Sequence, residues 1–146
     1  MGSAINSSGL AGLIGSISDN LTNTSIIVVT IVSIISIIIL TELTSNTATV
    51  STFIPILGAT ALGLGENPLM LIVPATLAAS CAFMMPVATP PNAIAYASGY
   101  LKMKHMIRAG IWLNLISFII ILFIISIILG PVFEVKIGEL PDWINN

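Results

Sequence analysis

The chain has 146 residues, of which 56% are hydrophobic and only 7% charged, with four Lys/Arg against six Asp/Glu and a formal net charge of −2. A soluble domain wets its surface with about 25% charged residues, so a soluble globular enzyme is excluded, and a disordered chain needs the opposite balance of charge and hydrophobicity. A pI near 5.0 offers no basic face to nucleic acid, and a mean hydropathy of +1.10 leaves an integral membrane protein.

Residues 1–25 set Leu10, Leu13, Ile14, Ile17 and Leu21 at helical spacing among Gly, Ser and Asn. They predict an amphipathic segment lying along the membrane surface. From Ile26 to Leu40 the chain is almost wholly β-branched or Leu. In water that run could be a buried strand, but in lipid a lone strand leaves its backbone groups unpaired, so it is expected to be helical. The polar patch Thr41-Glu42-Leu43-Thr44-Ser45-Asn46-Thr47 follows, and apolar character then resumes. As one helix, 26–62 would measure about 55 Å, against a hydrocarbon core of about 30 Å. Two legs with a tip at 44–48 fit better, as a re-entrant helical hairpin.

Glu66-Asn67-Pro68 marks a restart, with Asn67 as N-cap and Pro68 at the first helical position. A transmembrane helix is expected over 68–101, unwound at 86–92, where Pro90 and Pro91 lack amide donors. The small-residue face of Ala75, Ala78, Ala79 and Ala82 reads as close helix packing, and Cys81 as a small apolar packing residue. Residues 107–129 give a continuous transmembrane helix, ended by Gly130-Pro131 and followed by a polar tail over 130–146. The expected architecture is all-α and multi-pass in the plasma membrane. Lys102, Lys104 and Arg108 cluster in and beside one short connection. The positive-inside rule puts that connection, 102–106, in the cytoplasm and the C-terminus outside.

The functional signal is the pair of polar interruptions, at 41–47 and 86–92. Irregular backbone at membrane depth persists only where it is buried in protein or lines a wet cavity. The end of each first half-helix, at about 41–44 and 85–88, would present unpaired carbonyls suited to Na⁺. The start of each second half-helix would present free amides and a positive dipole suited to an anion. Paired half-helices of this kind mark the ion and substrate sites of secondary transporters. Ser45, Asn46, Thr47 and Thr89 add hydroxyl and amide groups that donate to a carboxylate or coordinate Na⁺ through oxygen. No Lys or Arg lies within the membrane stretches to neutralise a dianion, which predicts cation-coupled binding. Glu42, the one ionisable residue well inside the apolar region, has two readings: a functional group, or a protonated or hydrogen-bonded brace of the hairpin tip. Two other classes stay open on these residues. One is a small membrane structural or regulatory subunit whose polar breaks only mediate helix packing; the other is a small oligomeric pore.

The stretch from Thr41 to Thr49 resembles the second half of the divalent-anion:sodium symporter family, the sodium-coupled dicarboxylate transporters. So, more specifically, does Ala79-Ser80-Cys81-Ala82-Phe83-Met84-Met85-Pro86-Val87-Ala88-Thr89-Pro90-Pro91-Asn92-Ala93, with Gly99-Tyr100 and Arg108-Ala109-Gly110 downstream. The resemblance implies the C-terminal part of an inverted-repeat transporter, in which each repeat brings a hairpin tipped by Ser-Asn-Thr and one unwound helix. It implies no enzyme and no catalytic residue, but Na⁺-coupled symport of succinate-, malate- or fumarate-type dicarboxylates by a homodimer of complete subunits. Carried over by position, Thr41, Thr44, Asn46 and Ala88 would hold a sodium ion, Thr44 through its backbone carbonyl. Asn46, Thr47, Thr89 and Pro90 would face the dicarboxylate, with Ser45 completing the signature beside them. The family needs two repeats. The N-terminal repeat is missing here, so this chain is expected to be incomplete alone and to depend on that repeat as a partner.

Overall fold

The structure, a computed structural model, describes residues 25–133 together with Val135, Gly138 and Leu140. Among the described residues there are five α-helices and no strand: α1 Ile26–Thr41, α2 Asn46–Gly63, α3 Leu69–Ala79, α4 Pro90–Ala97 and α5 Met103–Phe133. The predicted amphipathic segment lies outside the described residues except for Ser25, as do several positions of the tail.

Ser25 opens α1 by accepting the Ile27 amide on its Oγ, as an N-cap serine does. Along α1 the buried residues are Ile26, Thr30, Ile34, Ile37, Ile38 and Thr41. Their three- and four-residue spacing draws one stripe down the helix. The opposite side exposes Ile27, Val32, Ile35 and Ile39, apolar residues that water would not favour and lipid does. α1 has 16 residues, about 24 Å at the helical rise. That is short of a bilayer core and suits one leg of a hairpin.

The turn into α3 follows from three residues. α2 ends in a Schellman motif, with the Glu66 amide on the Ala61 carbonyl and the Gly65 amide on that of Leu62. Gly65 sits at φ +72°, a left-handed conformation that costs glycine nothing. Asn67 then caps α3 by accepting the Leu69 amide at 3.0 Å, and Pro68 already has helical angles. The capping pair expected from sequence is therefore in place.

α3 is the centre of the fold and packs against α1, α2 and α5. Its buried face is built from small residues, Ala75, Ala78 and Ala79, beside Leu71 and Pro74. Small side chains let backbones approach closely, which is how helices associate without a hydrophobic driving force. Cys81 donates its thiol to the Leu77 carbonyl at 3.4 Å, in keeping with a packing role.

Two boundaries differ from the sequence expectation. α3 stops at Ala79, and the backbone stays non-helical from Ser80 to Thr89, whereas the prolines alone predict unwinding over 86–92. Pro90, Pro91 and Asn92 instead form the first turn of α4, because proline's fixed φ is helical and its missing amide is an orphan there in any case. The last helix is also longer than 107–129, at 31 residues, or about 46 Å. Lys104 and His105 lie within its first turn, which the Lys102 carbonyl opens by accepting the His105 and Met106 amides. Pro131 removes a single bond near its far end, where the Val135 amide closes onto the Leu129 carbonyl. With a mean hydropathy of 3.0 over its apolar window, α5 is the one helix among the described residues long and apolar enough to cross a membrane.

At Gly110, α5 stands directly against the backbone of the non-helical stretch. A Cβ at Gly110 would stand 2.5 Å from the Met84 Cα and 2.7 Å from the Met84 nitrogen, so only hydrogen fits. At Gly130, farther along the same helix, a Cβ would meet nothing within 4 Å. Gly110→Ala should therefore lower stability by about 2 kcal/mol or more through overpacking against backbone. Gly130→Ala should be neutral or stabilising by up to about 1 kcal/mol from helix propensity. Thermal unfolding of the two variants in detergent micelles checks the contrast.

Candidate functional site

The first interruption is the four-residue link from Glu42 to Ser45. Thr41, the last residue of α1, is fully buried, and its hydroxyl lies 2.7 Å from both the Ala79 carbonyl and the Asn46 amide oxygen. One hydroxyl has one proton. Donating it to Ala79 satisfies that carbonyl, and turning the Asn46 side chain so that its nitrogen faces Thr41 satisfies the pair. Thr44 and Thr49 share a 2.7 Å hydroxyl contact, and their hydroxyls also reach the carbonyls of Leu40 and Ser45. Ser45 caps α2 by accepting the Ala48 amide at 3.1 Å. Asn46 and Thr47 are the first two residues of α2, and no acceptor among the described residues takes their amides.

The second interruption is held by two side chains. Thr89 caps α4 by accepting the Asn92 amide at 3.4 Å. Asn92 reaches back with its own Nδ2 to the Ala82 carbonyl at 2.9 Å and the Met85 carbonyl at 3.1 Å. Ala88 is buried within the non-helical stretch, while Pro90 is exposed at the start of α4.

The tandem prolines shape the chemistry of this break. In a helix, residues 90 and 91 would donate to the carbonyls of Pro86 and Val87; as prolines they cannot. No donor among the described residues reaches the carbonyls of Pro86, Val87 or Ala88, nor those of Thr41 to Thr44 at the first break. Both interruptions thus offer bare carbonyl oxygens, but not at Met85, which the sequence expectation of 85–88 included: its carbonyl accepts the Ala88 amide and the Asn92 Nδ2. The free amides expected at both helix starts are a different matter. α4 has none in its first turn: Pro90 and Pro91 carry no N–H, and the amides of Asn92 and Ala93 are taken by Thr89. Free amides lie elsewhere: those of Ser45, Asn46 and Thr47 at the tip, and those of Val87 and Thr89 ahead of α4, have no acceptor among the described residues, and the Thr89 hydroxyl keeps its proton.

What joins the breaks is Glu42. Its carboxylate is 2% exposed and accepts the amides of Phe83, Met84 and Met85 at 2.9–3.0 Å, Met84 reaching both oxygens. Asn114 of α5 donates its Nδ2 to the same carboxylate at 2.8 Å. Three successive amides converging on one anion form a nest. Together with the Thr41–Ala79 contact, this fastens the hairpin tip to the start of the second break. Thr41 and Asn46 are thus brought into direct contact. Thr89 and Pro90 connect to the tip only through the stretch that Glu42 and Asn92 hold, and no hydrogen bond among the described residues links them to Asn46 or Thr47.

Sequence reasoning left Asn92, Gly110 and Asn114 out of the site and Glu42 without a fixed role. The signals were present but weak: Glu42 is a lone carboxylate among apolar residues, and Asn114 is a lone amide within an aliphatic helix. Nothing local names their partners, which lie 41–43 and 72 residues away in the chain.

Residues 1–133 match the model of the sodium:sulfate symporter transmembrane region. The chain is 43% identical over 91 residues to the sodium-dependent dicarboxylate transporter SdcS of Staphylococcus aureus strain MRSA252, and 42% identical to that of strain USA300. In each case the match covers 62% of this chain and 18% of the relative, so the chain spans under a fifth of the length of the curated relatives it matches.

Asn92→Ala should cost about 1–3 kcal/mol, because it strips the buried Ala82 carbonyl of its donor and leaves the Met85 carbonyl with the Ala88 amide alone. Asn92→Asp, which sets carboxylate oxygens against the same carbonyls, should cost more. Melting temperatures in detergent that rank wild type above Ala above Asp would bear this out.

Proposed function

The chain belongs to the sodium:sulfate symporter family, and from that membership we propose that it is the C-terminal transport segment of a Na⁺-coupled dicarboxylate symporter, incomplete without an N-terminal repeat. The supporting observation is the chemistry of the two breaks. Bare carbonyls at 41–44 and 86–88 lie on either side of one hydrogen-bonded junction, with two free amides at Asn46 and Thr47 beside it.

On this reading Na⁺ is cargo, held by the oxygens of Thr41, Thr44, Asn46 and Ala88. The dicarboxylate meets Ser45, Asn46, Thr47, Thr89 and Pro90. Lys102, Lys104 and Arg108 all lie beyond α4 in the chain, and among the described residues none of their side chains donates a hydrogen bond to either break. Charge on a dianion is therefore offset by the dipole of α2, by hydrogen bonds and by the co-bound cation. That is the physical case for coupling: the anion site is made favourable by the ion beside it. The prolines contribute by leaving the Pro86 and Val87 carbonyls without their helical donors.

The relatives are named sodium-dependent dicarboxylate transporters, which favours succinate-like substrates over sulfate. The same reading makes the whole protein a homodimer of two-repeat subunits in the plasma membrane. Its 102–106 connection faces the cytoplasm and its C-terminus the outside.

The test is uptake of labelled succinate into proteoliposomes carrying the complete transporter that contains this segment. Uptake should require Na⁺. Asn46→Ala, which keeps the backbone amide but removes the side-chain oxygen offered to Na⁺, and Thr89→Ala, which removes the hydroxyl proton, should each reduce it about 10- to 100-fold, since one polar contact to a charged group contributes about 1.5–3 kcal/mol. Pro91→Ala, which returns an amide to the Val87 carbonyl, should raise the Na⁺ concentration needed for half-maximal uptake. Uptake indifferent to Na⁺, or untouched by Asn46→Ala and Thr89→Ala, rejects the proposal.

A further inference from the structure

We infer that Glu42 is a positioning residue for cation binding: it locks the hairpin tip and the second break into one unit, so that the two sets of bare carbonyls keep the spacing that Na⁺ requires. The inference rests on the reading of those carbonyls given above and adds to it a residue outside the ligand set.

Glu42 is not itself a free ligand. A carboxylate has about four lone-pair sites, and five hydrogen bonds from the Phe83, Met84 and Met85 amides and the Asn114 side chain already occupy them. An ion could reach either oxygen only by displacing one of these donors. The value of the group lies in where it stands. Its own backbone belongs to the carbonyl set at 41–44, and the amides it holds end one residue before the set at 86–88. The short route between the two oxygen sets therefore runs through this carboxylate, whereas along the chain they are separated by all of α2 and α3.

The grip is two-sided. Met84 has the carboxylate on its amide and Gly110 of α5 against its Cα. Asn114, one turn beyond Gly110, donates to the same carboxylate. Its Oδ1 is buried without a partner among the described residues, so the bond to Glu42 is the one its side chain makes there. The stretch ahead of Pro86 is thus pinned between α1 and α5. The anion-side donors, the Asn46 and Thr47 amides and the Thr89 hydroxyl, make no bond to Glu42. Cation affinity should therefore respond to Glu42 far more than substrate affinity does.

The experiment measures Na⁺ activation of succinate uptake by the complete transporter in proteoliposomes, with wild type, Glu42→Gln, Glu42→Asp, Asn114→Ala and Asn46→Ala compared at equal amounts of inserted protein. Glu42→Gln sets an NH₂ group against backbone amides. It should raise half-saturating Na⁺ about tenfold or more, with maximal rate and succinate KM at saturating Na⁺ each within about threefold of wild type, the pattern of a misplaced ligand set. Glu42→Asp keeps the acceptor on a shorter arm and should fall between. Asn114→Ala spares the four amide bonds and should shift half-saturation about two- to fivefold in the same direction, a smaller step for a single lost donor.

If Glu42→Gln fails to insert, Asn114→Ala decides the matter. Unchanged Na⁺ half-saturation in either variant, or a fall in maximal rate without a shift in half-saturation, overturns the role given to Glu42. Loss of uptake in Asn46→Ala beside that result would show that the site reading stands and only this inference fails. Uptake intact in Asn46→Ala would remove both.

Discussion

A buried carboxylate against three consecutive amides holds this structure together. Glu42 and residues 83–85 solve each other's problem. Non-helical backbone at membrane depth leaves amides that nothing in lipid can satisfy, at several kcal/mol each. A carboxylate removed from water carries a comparable penalty of its own. Brought together, each supplies what the other lacks, and the break becomes a place where the chain can stay unwound. The extra donor from Asn114 makes α5 a party to the same arrangement.

The rest of the packing is consistent with that demand. To bring α1 and its following turn close to the end of α3, the facing surface must be thin, and Ala75, Ala78 and Ala79 provide it. To bring α5 close enough for Asn114 to reach Glu42, one residue must have no side chain where Met84 passes, and Gly110 is that residue. The hydroxyl of Thr41 on the Ala79 carbonyl completes the seam. These contacts are short and polar at the break and apolar elsewhere, with Ile34, Ile37 and Leu71 among the most buried side chains.

The tandem prolines show how one local feature serves several ends. They start α4 without strain, they deprive Pro86 and Val87 of donors, and they empty the first turn of α4 of amides. The two breaks look alike in sequence, as a helix end followed by a helix start, but they are not equivalent. At the tip the first amides of α2 are free, whereas α4 opens on two prolines and its Asn92 and Ala93 amides are taken by Thr89.

Much of this was legible in the residues alone. The unbroken aliphatic runs determine helices, since lipid admits no lone strand. Asn67-Pro68 determines where α3 begins, because capping is a contact between neighbours in the chain. Pro90-Pro91 likewise determines which carbonyls lose their donors. The start of the second break was not legible: the prolines mark where a helix cannot continue, yet α3 ends at Ala79, well before them. That boundary is decided by Glu42, which takes the amides of 83–85 for itself, and by Gly110 and Asn114 on the far helix. A sequence carries the rules for contacts within a turn or two of the chain. Which distant amides a carboxylate satisfies is a matter of three helices meeting in space, and only the tertiary structure decides it.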